Sequence, residues 1–479
     1  MVTARLPYPQ VKSFTEPAAL RARAEELGVE LPVDASVDPS GPLAAPVTVD
    51  DGPAGGLRVP NRFAVLPMEG WDGTTDGLPT ELVERRWRRF GASGAGLIWG
   101  GEAVAVRHDG RANPNQLVIG PDRVEPLAAL LAALRSEADG VGVAPVVGLQ
   151  LTHSGRWSRP DGPPAPRTAR VDPVLDHRVG AGPSDVLSDD ELDELVARFV
   201  DAAELAAAAG FDFVDVKACH GYLGHELLMA TERPGRYGGD LANRTRFLRT
   251  VVAEVRARVP DLALGVRLSL FDPGPHEPGP DGTGRPSPGA GPTFGPVGPD
   301  GRPDLGEAVE VVRLLGDAGV RLVCTTAASP YWAPHVQRPA WFPPSDGYLP
   351  PRDPLVDTAV LLAAARDLRA AAPPGTLVVG TGYTYLQQFL PHVGQATVRD
   401  GWVDLVGLGR MVLSYPELPA DVLAGRPLRT RLVCRTFSDC TTAPRNGLPS
   451  GCYPLDPFYK QRPERVELAA AKRRGRERS

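Results

Sequence analysis

Residues 211–228 read FDFVDVKACHGYLGHELL, and the run changes character halfway. FDFVDVKA (211–218) is apolar at most positions and rich in aromatic and β-branched residues, the pattern of a strand buried on both faces. A turn and a helix start follow, bringing Lys217, Cys219, His220, Tyr222, His225 and Glu226 within ten positions. Metal binding, a Schiff-base lysine, proton transfer and a plain helix start all begin as readings of that cluster. The neighbouring segments have to choose among them.

Seven other runs share the strand pattern: NRFAVLPM (61–68), AGLIWGG (95–101), APVVGLQL (144–151), LALGVRLSL (262–270), GVRLVCTT (319–326), GTLVVGT (375–381) and WVDLVGLG (402–409). Helical patterns lie between them. The clearest is SDDELDELVARFVDAAELAAAAG (188–210), where Ser188 and Glu191 predict a capping box and Gly210 a stop. Leu192, Leu195, Val196 and Phe199 keep i, i+3, i+4, i+7 spacing along one face. Eight strand-then-helix units predict an α/β fold, a parallel sheet closed into a (β/α)8 TIM barrel over 61–428. An N-terminal extension (1–60) precedes it and a cysteine-containing extension with a basic tail (429–479) follows. The 52 prolines exceed the average of about 5%, and many crowd into 271–304. That stretch predicts a long, partly mobile loop after the fifth strand, without helix or strand of its own.

Composition narrows the class. The chain has 479 residues, 42% hydrophobic and 23% charged, with net charge -6. The one basic run, KRRGRERS at the end, reads as a solvated tail, so no nucleic-acid partner is expected. No uncharged apolar run approaches the roughly 18 residues of a membrane span, and MVTARLPYPQVKSF has no apolar leader core. A cytoplasmic protein with a small-molecule substrate is expected, its five cysteines reduced, and a homo-oligomer is compatible with the sequence.

In such a barrel the chemistry belongs at the carboxyl ends of the strands. Those ends read Pro67-Met68-Glu69, Gln150, Lys217 to His220, Arg267, Gly380-Thr381-Gly382 and Gly407-Leu408-Gly409-Arg410. Glycine-rich ends on strands seven and eight, with Arg410, suit a phosphate. An inward Arg267 asks for an anion or an electron-rich ring. Gln150 offers a donor and an acceptor to an amide-like edge. His220 and His225 are five apart, which on a helix points them to different faces and disfavours zinc.

NRFAVLPM, the DGLPTE segment, GAGLIWGGEA, GLQLTHSGR, HGYL (220–223), YGGDLANRTRF (237–247), VRLS and VDLVGLGR together resemble the Old Yellow Enzyme family of NAD(P)H:flavin oxidoreductases, in family order from about residue 60 to 425. The resemblance implies a barrel holding FMN and reduced by NAD(P)H. Pro67, Met68 and Glu69 would lie against the flavin, Gln150 and Arg267 would meet its pyrimidine region, and Gly382, Gly409 and Arg410 would hold its phosphate. Tyr222 matches the family's proton donor, and Lys217 and His220 stand where the family holds the substrate oxygen. An ene-reductase of α,β-unsaturated carbonyl compounds follows, or the same chemistry run as a desaturase.

Four departures qualify the resemblance. Lys217 replaces a histidine, and Glu69 is more acidic than the usual residue after Pro-Met. Tyr331 and Trp332, with Trp341 and Phe342, offer an aromatic wall for substrate or simple packing of the loop on the barrel rim. Cys434, Cys440 and Cys452 resemble part of the iron–sulfur motif of the dienoyl-CoA reductase and trimethylamine dehydrogenase branch, but Phe437 stands where a second cysteine belongs. A cluster normally takes four thiolates, so none is expected. Two alternatives remain: a class I aldolase using Lys217, and a flavin-binding protein with little turnover. His225 and Glu226 read as ordinary polar positions on the following helix.

Overall fold

A computed structural model describes residues 6–52 and 56–478, with side chains as far as residue 474. Eight parallel strands form its centre: β1 (Phe63–Val65), β2 (Leu97–Ile98), β3 (Val146–Thr152), β4 (Phe213–Ala218), β5 (Ala263–Ser269), β6 (Leu322–Thr326), β7 (Leu377–Gly380) and β8 (Leu405–Leu408). Each pairs with the next, and β8 pairs with β1, so the sheet closes. The fold is the expected (β/α)8 barrel. Helices α1 (Glu81–Gly91), α2 (Val124–Gly140), α3 (Asp189–Ala208), α4 (Arg246–Arg258), α5 (Gly306–Asp317), α6 (Pro354–Ala371), α7 (Leu390–Arg399) and α8 (Leu418–Leu423) follow the strands in turn. The capping box forms as read: Ser188 Oγ accepts the Glu191 N–H and a Glu191 carboxylate oxygen accepts the Ser188 N–H.

The barrel interior is apolar at its amino end. Ala64, Leu97, Trp99, Phe213, Leu322 and Leu405 pack there with Val49 and Val59. Those two valines come from a hairpin, Val47–Val49 with Leu57–Val59, which stops the bottom of the barrel. Polar inward residues therefore appear only toward the carboxyl ends.

Two local features depart from the sequence reading. A further strand, Ala103–Ala105, re-enters the ladder beside β3, with Ile98 opposite Val147 but Ala103 opposite Gln150. Five steps on one strand oppose three on the other, so 99–102 is a bulge of two extra residues. The bulge turns Glu102 onto Arg86 of α1, which also pairs with Asp72. Second, the loop 271–304 does carry strands. His276–Pro278 and Gly284–Pro286 form an antiparallel ribbon. Its turn is an Asp-Gly pair: Asp281 accepts the Thr283 N–H and Gly282 sits at φ +77°. The proline excess hid that turn signal.

The C-terminal segment folds back across the barrel mouth. A short helix (Asp439–Arg445) lies there, and a last helix (Glu464–Arg478) takes up most of the basic tail. Leu468 and Ala471 are buried and Lys472 pairs with Asp439, so the helix is packed up to the start of the basic run, where Arg473 and Arg474 are exposed. Side chains from 475 onward lie outside the described residues.

Candidate active site

One cavity opens at the carboxyl ends of the strands. Pro67, Met68, Glu69, Gln150, Lys217, His220, Tyr222, Arg267, Tyr331, Gly382, Gly409 and Arg410 all line it. Trp332 does not. Its indole N–H donates to the Asp272 carboxylate at 3.0 Å and its ring covers Gly221, whose added Cβ would sit 2.3 Å from it. Trp332 is packing beneath the site, while its neighbour Tyr331 faces the cavity. Trp341 and Phe342 pack against each other, and Phe342 also meets Phe437 at 5.3 Å.

The floor is built on Asp215 of β4, which pairs laterally with Gln150 of β3. Its buried carboxylate accepts the Gln150 side-chain N–H, the Trp99 indole N–H at 2.6 Å and the Arg267 backbone N–H at 2.7 Å. With its amide nitrogen so used, Gln150 turns its oxygen, an acceptor, to the cavity. Burial pushes the Asp215 carboxyl up, and these donors pull it back. Arg267 is directly opposite Lys217 across the β4–β5 ladder. Its Nε is buried with no partner among the described residues.

The turn after β4 is made by His220 (φ +65°) and Gly221 (φ +75°), two successive left-handed residues. His220 Nε2 lies 3.1 Å from both Thr326 Oγ1 and Gln337 Nε2. Burial first, then the charges of Arg267 and Lys217, hold the imidazole far below its ordinary pKa, hence neutral. His225 and Glu226 are fully buried, contrary to the plain reading. His225 Nδ1 accepts the Gly221 N–H at 3.0 Å, and Glu226 pairs with Arg156. Both fix the turn without reaching the cavity.

Glu69 reorganises the expected roles. Its carboxylate accepts from Lys217 Nζ at 2.6 Å, the Trp71 indole N–H at 3.1 Å and the Tyr222 hydroxyl at 3.2 Å. Lys217 is therefore paired with Glu69, which takes one of the three N–H donors of its ammonium. Its ammonium lies 3.9 Å from the centre of the Tyr222 ring. Tyr222 and Tyr331 hydroxyls are 3.2 Å apart. Burial, then Glu69 and Tyr331, push the Tyr222 phenol well up, so it keeps its proton at neutral pH.

At the opposite end Gly382 (φ +101°) and Gly409 close β7 and β8 beside Arg410. Arg410 Nη2 donates to the Pro339 carbonyl at 2.7 Å, and Nη1 is buried without a partner among the described residues. Cys434, Cys440 and Cys452 lie near one another, and burial raises each thiol, Cys440 to about 11. Phe437, in place of a further thiol, stacks on Phe342. Among the described residues no group of three or more potential ligands is arranged around a metal position.

The sequence reading missed Thr326, Gln337, Arg338, Trp71 and Asp215. Asp215 had a signal, since a lone carboxylate in a buried strand needs donors. Arg338 had a weaker one, as an arginine in an aromatic loop on the catalytic face. The YGGDLANRTRF segment braces the scaffold: Asp240 caps the Asn243 N–H, and Arg244 pairs with Glu307.

Comparison with known proteins agrees with this geometry. Residues 45–280 match the NADH:flavin oxidoreductase / NADH oxidase family. The NADPH dehydrogenase of Bacillus subtilis (strain 168) is 32% identical over 237 residues, which is 48% of this chain and 64% of that protein. The chain thus spans under two thirds of the length of that curated relative. A 2-naphthoyl-CoA reductase solved with 2-naphthoyl-CoA matches with TM-score 0.66 at 19% identity, over 88% of this chain and 58% of the other. An old yellow enzyme homologue from Zymomonas mobilis matches with TM-score 0.55 at 21% identity, over 81% and 93%.

Proposed function

We propose that this chain, whose residues 45–280 match the NADH:flavin oxidoreductase / NADH oxidase family, is an FMN-dependent oxidoreductase drawing on NAD(P)H. Its substrate is a small molecule with an alkene conjugated to a carbonyl. The observation that carries the reading is unbalanced charge in the cavity. Arg267, Arg338 and Arg410 line it with no carboxylate at ion-pair distance among the described residues, and each has a buried N–H without a partner. Buried unpaired guanidinium groups are costly, so an anionic, acceptor-rich guest is called for.

FMN fits that donor set. Arg267 and the Gln150 oxygen would hold the polar edge of its ring, the backbone at Pro67 and Met68 would lie along the ring, and Gly382, Gly409 and Arg410 would hold its phosphate. Held by these residues, the flavin would supply hydride transfer from NAD(P)H to the alkene carbon β to the carbonyl.

The chain's own groups do the rest. His220, neutral, polarises the carbonyl through a hydrogen bond instead of neutralising it. Tyr222 retains its proton until the α-carbon takes it. The phenolate then left is met by the Lys217 ammonium against its ring and by the Tyr331 hydroxyl. Lys217 acts through Glu69 and Tyr222, and its remaining N–H donors face the cavity where the substrate oxygen would lie. Desaturation would use the same residues in reverse. The aldolase alternative loses ground, because a Schiff base needs a free amine and Lys217 is engaged at 2.6 Å.

The test is spectroscopic. The purified protein should be yellow, bleach with NADPH or NADH without oxygen, and recover colour with 2-cyclohexenone. Tyr222→Phe should slow the recovery while sparing the bleaching. A colourless protein that takes up no flavin refutes the cofactor; a Tyr222→Phe protein with both half-reactions intact refutes the proton donor.

A further inference from the structure

We propose that the phosphate end of the cavity is a clamp of two guanidinium groups, in which Arg338, from the loop after β6, binds the cofactor phosphate beside Arg410. The inference rests on the FMN reading above and assigns a residue that neither strand end supplies.

Three observations carry it. Arg338 Nη1 donates to Thr441 Oγ1 of the helix Asp439–Arg445, which fixes the guanidinium plane. Its Nε and Nη2, the edge that binds an oxyanion side-on through two parallel bonds, are both buried with no partner among the described residues. Arg410 is tied to the same loop, since its Nη2 donates to the carbonyl of Pro339, the next residue. Two cations are thus held close with free donors on each, an arrangement that repels itself until an anion enters.

The charge count points to phosphate. A phosphate monoester carries between about 1.5 and 2 negative charges at neutral pH, which one guanidinium leaves under-neutralised and two match. Arg445, the third arginine nearby, is not available: it pairs with Asp346 at 2.7 Å and donates to the Pro330 carbonyl at 2.8 Å. Arg267 belongs to the floor with Gln150. Because Thr441 orients Arg338, the C-terminal segment becomes part of the cofactor site.

The test separates phosphate from ring. Apo-protein is titrated with FMN and with riboflavin, following quenching of flavin fluorescence, for the wild type, Arg338→Met, Arg338→Lys and Thr441→Val. Arg338→Met should weaken FMN binding by roughly tenfold to a hundredfold, the loss of a paired charge-assisted contact, and leave riboflavin unchanged. Arg338→Lys should fall between, keeping charge without the fork. Thr441→Val retains the arginine and should cost FMN alone about threefold, on the order of a lost neutral hydrogen bond; it decides the matter if Arg338→Met fails to fold. If Arg338→Met and Thr441→Val leave the ratio of FMN to riboflavin affinity at its wild-type value, the clamp is refuted, and a loss confined to anionic substrates refutes it equally. If the wild type binds neither flavin, the FMN reading fails first.

Discussion

Replacing Glu69 by glutamine tests the least expected feature of the cavity, the capture of Lys217 by a carboxylate from across the barrel. The Lys217 side chain is 3% exposed and that of Glu69 17%, with Nζ and Oε1 2.6 Å apart. Water screens such a pair weakly, and removing one member of a buried ion pair costs about 3–5 kcal/mol. Glu69 is partly exposed, and the glutamine oxygen still accepts one of the three bonds, so about 2–4 kcal/mol is expected. Lys217→Met should cost less, because Glu69 keeps Trp71 and Tyr222. The double variant should be more stable than Glu69→Gln alone, with a coupling of at least about 1.5 kcal/mol. Urea unfolding of the four proteins measures this, at one saturating flavin concentration since ligand adds to stability. A Glu69→Gln cost under about 1 kcal/mol with additive singles would show that the pair does not hold the site together.

Three further expectations concern other residues. Glu102 and Asp72 share Arg86 in the interior; burial, and Asp72 against the pull of Arg86, raise the Glu102 carboxyl from 4.5 to about 8. The native state then keeps a proton that the unfolded chain releases, so stability should fall as pH rises from about 4.5 to about 8. Glu102→Gln should flatten that slope; equal slopes in urea midpoints over this window would exclude Glu102 as its source. Asp215→Asn keeps one acceptor oxygen but sets an NH2 group against either the Gln150 and Trp99 donors or the Arg267 N–H, and should weaken FMN and riboflavin alike, by about tenfold, in the same fluorescence titration. Gly221→Ala, with φ +75° and its Cβ 2.3 Å from the Trp332 ring, should lower stability by about 2–4 kcal/mol; an unchanged melting temperature would mean the turn relaxes freely.

The eight strands were legible because each is a short, nearly continuous apolar run, and a closed parallel barrel demands that pattern. The cavity wall was legible for the same reason: strand ends are fixed once strands are. What the sequence could not show is which side chains meet across the barrel. Glu69 and Lys217 are 148 residues apart, so the lysine looked free. Tyr331 and Trp332 are adjacent and chemically alike, yet one faces the cavity and the other Asp272, a choice made by loop conformation. Arg338 depends on Thr441, 103 residues later, so its role appears only when the C-terminal segment folds over the mouth.

Two of the motifs that signalled the family turn out to be one device. His220 is held at φ +65°, a conformation that costs a non-glycine residue about 1–3 kcal/mol. Ser269, the serine of VRLS at the end of β5, accepts the His220 N–H at 3.2 Å and donates to the Ala328 carbonyl at 3.1 Å. Ser329, one residue on, donates to the His220 carbonyl at 2.8 Å. Two hydroxyl bonds at about 1 kcal/mol each are enough to offset the strain, and they come from the ends of the two following strands. The imidazole is thereby fixed by its backbone before any ligand arrives, which is why HGYL and VRLS have to be read together: the serine of one sets the histidine of the other.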